Sequence, residues 1–350
     1  MKDMKMKKMV SGRGGADCRL CKYRQTEWMI PNQIMSGFDI THTATGAFDI
    51  YEKLVNADGE IRRKSGDYEI REGMTKKPLT TSNQWSICVL HSKINCTAWF
   101  VKLLARLNSG DLQWVERENC DGDRIREGAV RVLDIIQERT GINLHQVCGS
   151  LGKGVGSADG NQSRRLFSES SRSAVLVCVR EDDKEVVGEL HKNLSAILRL
   201  LSCEEKINVH KYQKLVTETS LLIAHNFHWS QINYTLHGIL HHSHQLIVMN
   251  HGIGLGELSE EALEANNKFV RRFLEMNSRK TSPQDQLEDV MGRLLERSDP
   301  YLLERKLNFR SAKKPCSVCG SKEHSSRKHA ESEIMDSYSD LVDSVIVNDI

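Results

Sequence analysis

The sequence predicts a mainly α-helical protein that binds metal through cysteine and histidine side chains. Stretches with the helical period far outnumber stretches with strand-like alternation. The 350 residues include ten cysteines and fourteen histidines, and several of them stand at the spacings of zinc ligands. With 39% hydrophobic residues, a chain of this length can bury one large core or two modest ones.

Helices are predicted in chain order over Gln84–Leu107, Ile125–Thr140, Glu185–Leu201, Lys206–Asn226, Ile232–Met249 and Gln284–Leu295. Gly141 should end the second of these helices. Residues 149–160 form a glycine-rich stretch, which we predict to be a loop. It lacks the residue order of a phosphate-binding loop and no clear strand precedes it, so we expect no nucleotide site there.

The charge distribution favours a polyanionic partner. The net charge is only +2, but residues 331–350 contain six acids and no lysine or arginine, which leaves +8 on the first 330 residues. We expect the acidic end to be a disordered tail. No apolar run reaches the roughly 20 residues of a membrane-spanning helix, so no membrane partner is expected.

The cysteines indicate a reducing compartment. The basic N-terminus has no hydrophobic region behind it, so it is not a secretory signal, and the thiols are expected to stay free or to bind metal. Six of them show no ligand spacing and are predicted to be buried or neutral thiols: Cys88, Cys96, Cys120, Cys148, Cys178 and Cys203.

A zinc knuckle is predicted near the C-terminus. Cys316, Cys319, His324 and His329 have the spacing C-x2-C-x4-H-x4-H, and two thiolates with two imidazoles complete a tetrahedron around Zn²⁺. The segment has almost no hydrophobic residues, so its fold must come from the metal. The basic residues around it make nucleic acid the natural ligand.

A second metal site is predicted between distant parts of the chain. Cys18 and Cys21 form a CxxC pair, which is half a zinc site. The richest source of the missing ligands is a histidine cluster formed by His237, His241, His242 and His244.

The segment Ser259–Lys280 is predicted to be an amphipathic helix with Ser259 as its N-cap. Glu264 lies on the polar face with Lys268, Arg271 and Arg272. One interpretation is a solvated helix with a surface ion pair between residues 264 and 268. The other is a carboxylate that holds a metal ion while the neighbouring cations bind phosphates.

The segment EANNKFVRRF from Glu264, continuing to Met276 and Asn277, resembles the C-terminal core of the V(D)J recombination-activating protein 1 family, which includes invertebrate transposases. Further blocks follow the family's order: CRLC at Cys18, LHSKIN at Leu90–Asn95, DGNQSRRL at Asp159–Leu166 and NYTLHGILHH from Asn233. The resemblance covers roughly residues 3–300. The knuckle resembles tails on the transposon-borne invertebrate relatives.

The resemblance implies roles for individual residues. Glu264 matches the catalytic glutamate of a ribonuclease-H-like DDE site, and Asp3, in DMKMKKMVSG, matches the second catalytic aspartate. Cys18 and Cys21 match the first zinc pair. His237 and His242 match the second by their x4 spacing, with His241 as the alternative to His242. Lys268, Arg271 and Arg272 would bind the DNA backbone.

The resemblance also implies a domain organisation. Residues 1–12 would be a remnant strand of the ribonuclease-H-like DDE recombinase core, 13–250 a large helical zinc-binding insertion in that core, 251–281 the catalytic-helix segment, 282–310 the C-terminal helices, 311–330 the zinc knuckle and 331–350 the acidic disordered tail.

The implied chemistry is two-metal phosphoryl transfer. Three carboxylates hold Mg²⁺ or Mn²⁺, DNA is nicked, and strand transfer then forms a hairpin. The family's first aspartate lies upstream of the second, on a strand that these 350 residues do not contain, so we expect this chain to be inactive alone. The implied setting is nuclear, with DNA, a homodimer and an accessory recombinase subunit as partners. The alternative is a non-enzymatic, zinc-dependent DNA-binding protein derived from a transposase.

Overall fold

The computed structural model describes residues 18, 20–42, 44–55, 77–78, 87–109, 122–149, 152–256, 258–259, 261–302, 304 and 337–347. These residues divide into two compact units. The first comprises the described residues of 18–259 and 337–347, and the second those of 261–304. Among the described residues α-helix predominates, as the sequence predicts. Asp3 and the predicted knuckle at 311–330 lie outside the described residues.

The first unit contains helices α1 (Pro31–Ser36), α2 (Ala44–Leu54), α3 (Val89–Ser109) and α4 (Gly122–Thr140), strands β1 (His145–Gly149) and β2 (Gly152–Ser157), and helices α5 (Gly160–Leu166), α6 (Arg172–Val177), α7 (Lys184–Ser202), α8 (Val209–Asn226), α9 (Tyr234–His237) and α10 (Ser243–Met249). A π-helical turn, Gly238–His242, joins α9 to α10. The second unit contains α11 (Glu261–Met276) and α12 (Pro283–Ser298), and α13 (Ser337–Asp343) belongs to the first unit.

Helices α3 and α7 lie in the core of the first unit. On α7 the fully buried side chains recur at helical spacing, as at Leu190, Leu194 and Ile197, so one broad apolar face is covered. Helix α4 packs closely on α3 at Gly128. A Cβ at residue 128 would lie 2.5 Å from the carbonyl oxygen of Ala105, so only glycine permits this approach.

The predicted helix boundaries agree with the structure to within a few residues in most cases. Helix α4 ends at Thr140, and Gly141 follows with a positive φ of 64°, which is the conformation of a helix-ending glycine. Helix α11 is described from Glu261, close to the helix start predicted at Ser259.

The glycine-rich stretch is a β-hairpin rather than the loop that we predicted. Strand β1 precedes it, and β2 pairs with β1 in antiparallel register with an irregularity between Val147 and Cys148. Three of the six residues in β2 are glycine. Backbone pairing rather than side-chain alternation therefore forms this hairpin, and an alternation pattern could not reveal it.

The acidic end is ordered over residues 337–347, which corrects the prediction of a disordered tail for that part. Tyr338, Val342 and Val345 are buried, whereas Asp340 and Asp343 are exposed. The apolar residues thus recur on one face between the acids. The segment is also fixed by its backbone, because the amide of Asn208 donates to the carbonyl of Val345 at 2.8 Å.

A buried histidine links α13 to the core. Nε2 of His191 lies 2.8 Å from the carbonyl oxygen of Leu166, which can only accept, so this nitrogen donates. Nδ1 then accepts from the hydroxyl of Tyr338 at 2.9 Å. A ring that donates at one nitrogen and accepts at the other is a neutral imidazole. Burial lowers the pKa of His191 to about 4, and the nearby positive charge of Arg172 acts in the same direction.

In the second unit α11 and α12 pack side by side. The guanidinium of Arg297 lies 3.4 Å from the ring centroid of Phe269. Between the helices, Arg279 binds the carboxylate of Asp289. Pro283 is the first residue of α12 and Ser282 is its N-cap, which agrees with the predicted helix start near Gln284.

None of the described helices combines the length and apolar composition that crossing a bilayer requires.

The His191 contact predicts a pH-dependent stability. An unfolded histidine protonates below about pH 6.5, whereas folded His191 stays neutral down to about pH 4, so stability falls as pH decreases through this window. Between pH 7 and pH 5 the loss is about 2 kcal/mol. Between pH 7 and pH 5 the free energy of unfolding of His191→Gln, measured in urea, should therefore fall by about 2 kcal/mol less than that of the parent. An identical slope in variant and parent would contradict the assignment.

Candidate metal centre

Two cysteines and two histidines meet in the interior of the first unit. The ligand atoms of Cys18, Cys21, His237 and His242 all lie within 4.8 Å of one another, and all four residues are buried. Sγ of Cys21 is 3.4 Å from Nε2 of His237, and this Nε2 is 3.2 Å from Nε2 of His242. The cluster therefore joins positions 216 residues apart in the chain.

The spacing of these atoms is that of ligands around one ion. For ligand bonds of about 2.0–2.3 Å, neighbouring corners of a zinc tetrahedron are roughly 3.3–3.8 Å apart. The distances from Nε2 of His237 to Cys21 and to His242 are close to this range. The cluster could hold a metal ion, and its Cys2His2 donor set is consistent with zinc.

The cysteine half of the cluster is a tight turn held by its own backbone. The amide of Leu20 donates to Sγ of Cys18 at 3.3 Å. The carbonyl of Leu20 accepts from the amides of Thr41 and His42 at 2.9 and 3.0 Å. The segment after α1 thus folds back on the turn, and both thiols point into the interior.

The histidine half begins at a capped helix. The side-chain oxygen of Asn233 accepts from the amides of Thr235 and Leu236 at 3.0 and 2.9 Å, which fixes the first turn of α9. Asn95 of α3 donates to the hydroxyl of Thr235 at 3.1 Å. The LHSKIN and NYTLHGILHH blocks therefore contact each other in the fold.

The π-helical turn selects His242 over His241. In an α-helix residues four apart share a face, so His241 would be the natural partner of His237. In the π-helical turn Gly238–His242 the backbone hydrogen bonds join residues five apart. The extra residue brings His242 instead of His241 to the cluster. The preferred x4 spacing is therefore the one that the structure brings together, whereas Nε2 of His241 has no hydrogen-bond partner among the described residues.

Aromatic rings enclose the site. The ring of Trp28 stacks on His237 with centroids 4.2 Å apart, and Phe38 meets the same imidazole edge-on at 5.1 Å. Nδ1 of His242 lies 3.4 Å from the side-chain oxygen of Gln245, whose amide nitrogen donates to the carbonyl of Phe38. An outer partner of this kind orients a metal-binding imidazole.

The electrostatics place Cys18 and His237, but not Cys21, in the protonation state of a metal ligand. Burial opposes ionisation of Cys18, but the hydrogen bond from Cys21 and the nearby imidazoles His237 and His242 outweigh it and hold the pKa of Cys18 well below its usual range. The hydrogen bond to Cys18 and burial raise the pKa of Cys21. Burial lowers the pKa of His237 to about 4, so its ring is neutral, as a ligand must be.

The remaining predicted site residues divide into two groups. Arg271 and Arg272 are exposed on α11. Glu264 and Lys268 lie on the same helix, but their side chains are outside the described residues. Asp3, Cys316, Cys319, His324 and His329 also lie outside the described residues.

The cysteines predicted to lack a ligand role behave as buried thiols where they are described. Cys88, Cys96 and Cys178 are buried. Burial raises the pKa of Cys96, and it raises the pKa of Cys178 to about 12. Cys203 is only half-buried and its pKa is also raised, mainly by burial. Cys120 and the side chain of Cys148 lie outside the described residues.

Sequence reasoning missed the residues that support the ligands. Trp28, Phe38, Asn95 and Gln245 stand at no recognisable ligand spacing, and each reaches the site only through the fold. One signal was available, since Asn is a strong N-cap and Asn233 is the second residue of the helix predicted over Ile232–Met249, which the structure begins at Tyr234.

Comparison with known protein families finds no matching family model, and comparison with curated proteins finds no match.

The geometry predicts different outcomes for the two neighbouring histidines. His242→Gln removes a ligand and should lower the bound metal, measured by elemental analysis after dialysis, by about one ion per chain. His241→Gln should retain the ion, because this side chain does not belong to the cluster. Both variants should carry Cys316→Ser and Cys319→Ser, which remove the predicted knuckle. Equal metal loss in both would contradict the assignment of His242.

Proposed function

We propose that this chain is a zinc-stabilised, DNA-binding protein of the DDE recombinase type, similar to the V(D)J recombination-activating protein 1 family. The observation that carries the proposal is the buried cluster of Cys18, Cys21, His237 and His242. The resemblance implies that these four residues, which come from two blocks more than 200 positions apart, bind one ion. Their ligand atoms lie close together in the structure.

The proposed ion at this cluster is zinc in a structural role. Four protein ligands complete a tetrahedron and leave no position for water or substrate, which distinguishes a structural zinc site from a catalytic one. The ligands are buried and ringed by Trp28 and Phe38. The ion would tie the start of the described chain to the turn between α9 and α10. The knuckle at Cys316, Cys319, His324 and His329 is the second proposed zinc site.

The proposed DNA contact is α11. This helix runs from Glu261 to Met276, and at 100° per residue positions 264, 268, 271 and 272 fall within about 100° of one another around its axis. Arg271 and Arg272 are exposed. Cations on one exposed face suit the DNA backbone, where they give affinity without sequence selectivity.

Glu264 gives this face its proposed chemistry. A carboxylate binds the hard Mg²⁺ or Mn²⁺ ion of a two-metal site, and cations on the next turns neutralise the phosphates that the ions act on. In the proposed ribonuclease-H-like core Glu264 is the third carboxylate and Asp3 is the second. The same pattern on a purely structural helix would contribute only a surface ion pair between residues 264 and 268, worth about 0.3–0.5 kcal/mol.

DNA binding by α11 predicts a salt-dependent loss on substitution. Arg271→Gln with Arg272→Gln should weaken duplex binding at every sequence tested. The slope of log K against log salt should fall by about 1 for each phosphate that is no longer neutralised. Arg126→Gln, at an exposed arginine of α4, is the matched control and should leave both quantities unchanged. A duplex affinity equal to that of the unsubstituted protein would remove α11 from the proposed interface.

Nicking and the metal dependence of DNA binding together distinguish the DDE-type proposal from its alternative. We expect residues 1–350 to bind a nicked or hairpin-precursor DNA more tightly in Mn²⁺, without cleaving it, and we expect Glu264→Gln to remove the effect of Mn²⁺. Cleavage that Glu264→Gln abolishes would identify Glu264 as a catalytic ligand and overturn the expectation of no cleavage. Binding that neither Mn²⁺ nor Glu264→Gln changes would favour the non-enzymatic, zinc-dependent DNA-binding protein.

A further inference from the structure

Residues 206–208, which lie between α7 and α8, are paired on both sides by segments distant in the chain. On one side the amide of Ile207 donates to the carbonyl of Gly252 at 2.8 Å. On the other side the amide of Asn208 donates to the carbonyl of Val345 at 2.8 Å. Both pairings are antiparallel, so residues 206–208 form the middle of a small three-stranded contact.

The two outer segments of this contact lie at the two ends of one long piece of chain. Residues 252–254 precede it and residues 345–347 follow it, and between them the chain contains all described residues of the second unit, 261–304. The two ends of this piece are therefore fixed side by side in the first unit. We call residues 337–347, which make the second of these attachments, the clasp.

The clasp is held by a small set of contacts. Its buried side chains are Tyr338, Val342 and Val345. Its backbone adds a hydrogen bond from the amide of Val347 to the carbonyl of Lys206 at 2.9 Å. A short segment that pairs at the edge of a strand exposes only its own contact surface when it detaches. Such a segment forms a local opening unit with a lower free energy of opening than the core beneath it.

His191 of α7 lies beneath the clasp. The hydroxyl of Tyr338 covers its Nδ1 at 2.9 Å, and the two rings have centroids 5.8 Å apart. Arg172 of α6 acts on the imidazole with a positive charge. Uncharged groups from α3, from the end of α5 and from α7 itself surround the rest of the ring: Phe100, Phe167, the carbonyl of Leu166, and Val187, Gly188, Leu194 and Ser195 one turn away. None of these groups is an anion that would stabilise an imidazolium.

Protonation of His191 therefore favours detachment of the clasp. A charged imidazole in this interior lacks hydration and is repelled by Arg172, which is why its pKa is lowered to about 4. Detachment of Tyr338 exposes Nδ1 to water while the contacts from α3 and α5 stay in place. This local opening hydrates the charge without unfolding the unit.

We propose that residues 337–347 are an acid-released clasp, which detaches as one piece from the folded first unit when His191 is protonated. With the clasp closed, the chain that contains the second unit is fixed at both ends. With the clasp open, it is fixed only at its N-terminal end. The proposal requires neither the metal centre nor DNA binding by α11, so it can fail or succeed independently of the proposed function.

Amide hydrogen exchange of the full chain, measured at single residues, tests separate opening. The amides of Asn208 and Val347 donate across the clasp contact, whereas the amide of Ile207 donates to the other outer segment and is the internal control. Asn208 and Val347 should share one protection factor, and it should be lower than that of Ile207. Equal protection of all three amides would mean that the clasp opens only with the whole unit. Low protection of Val347 alone would mean fraying of the chain end. Either result would overturn the proposal.

The pH dependence of the same amides tests the role of His191. An exposed histidine protonates near pH 6.5 and the buried one only near pH 4, so the opening constant at Asn208 and Val347 should rise about 20-fold from pH 7 to pH 5, after correction for intrinsic exchange. His191→Gln should remove this rise. His225→Gln, at an exposed histidine of α8, is the matched control and should retain it. A rise that persists in His191→Gln would overturn the proposal.

A tyrosine pair tests the contact with a smaller change. Tyr338→Phe removes only the hydroxyl that covers His191, and it should lower the protection factors of Asn208 and Val347 at least about fivefold at pH 7. Tyr301→Phe removes a hydroxyl from a tyrosine of the second unit that is 69% exposed, and it should leave both protection factors unchanged. Equal protection in the two variants would contradict the assignment of Tyr338 as the residue that holds the clasp on His191.

Discussion

The first unit depends on the contact between two cysteines near the start of the described chain and two histidines more than 200 residues later. Without an ion, Cys18, Cys21, His237 and His242 would be four polar side chains crowded in a dry interior, and burial of such groups without full partners is costly. A shared ion would turn this cost into stabilisation, because binding energy at a site that exists only in the folded chain is also folding energy. The turn at Leu20, the stacked Trp28 and the capped start of α9 all hold these four residues in place.

The π-helical turn shows how a local change in helix geometry serves the site. A regular helix through Gly238–His242 would present His241 beside His237, and His242 would point away from the cysteines. One extra residue per turn brings Nε2 of His242 within 3.2 Å of Nε2 of His237, while the ring of His241 stays beside that of His237 with centroids 4.8 Å apart. Such turns are rare and are found mostly at functional sites. The hydroxyl of Tyr212 on α8 lies 3.0 Å from that of Ser243, the first residue of α10. This contact keeps α10 packed on α8 directly after the π-helical turn.

The acidic end of the chain illustrates how charge is arranged around an apolar core. In α13 the acids face solvent and the intervening Tyr338, Val342 and Val345 are buried, so net charge and order coexist in one segment.

The sequence by itself determined the helical class, most helix boundaries, and the cysteine pair and histidine cluster from which the candidate metal ligands come, because helical periodicity, stop residues such as Gly141 and the spacing of cysteine and histidine are local properties. It left open the choice between His241 and His242, and it missed the hairpin at β2 and the order of α13. These features depend on contacts between segments far apart in the chain. Only the tertiary structure decides them, because a π-turn, a paired glycine-rich strand and the backbone contact of Asn208 with Val345 exist only once those segments are packed together.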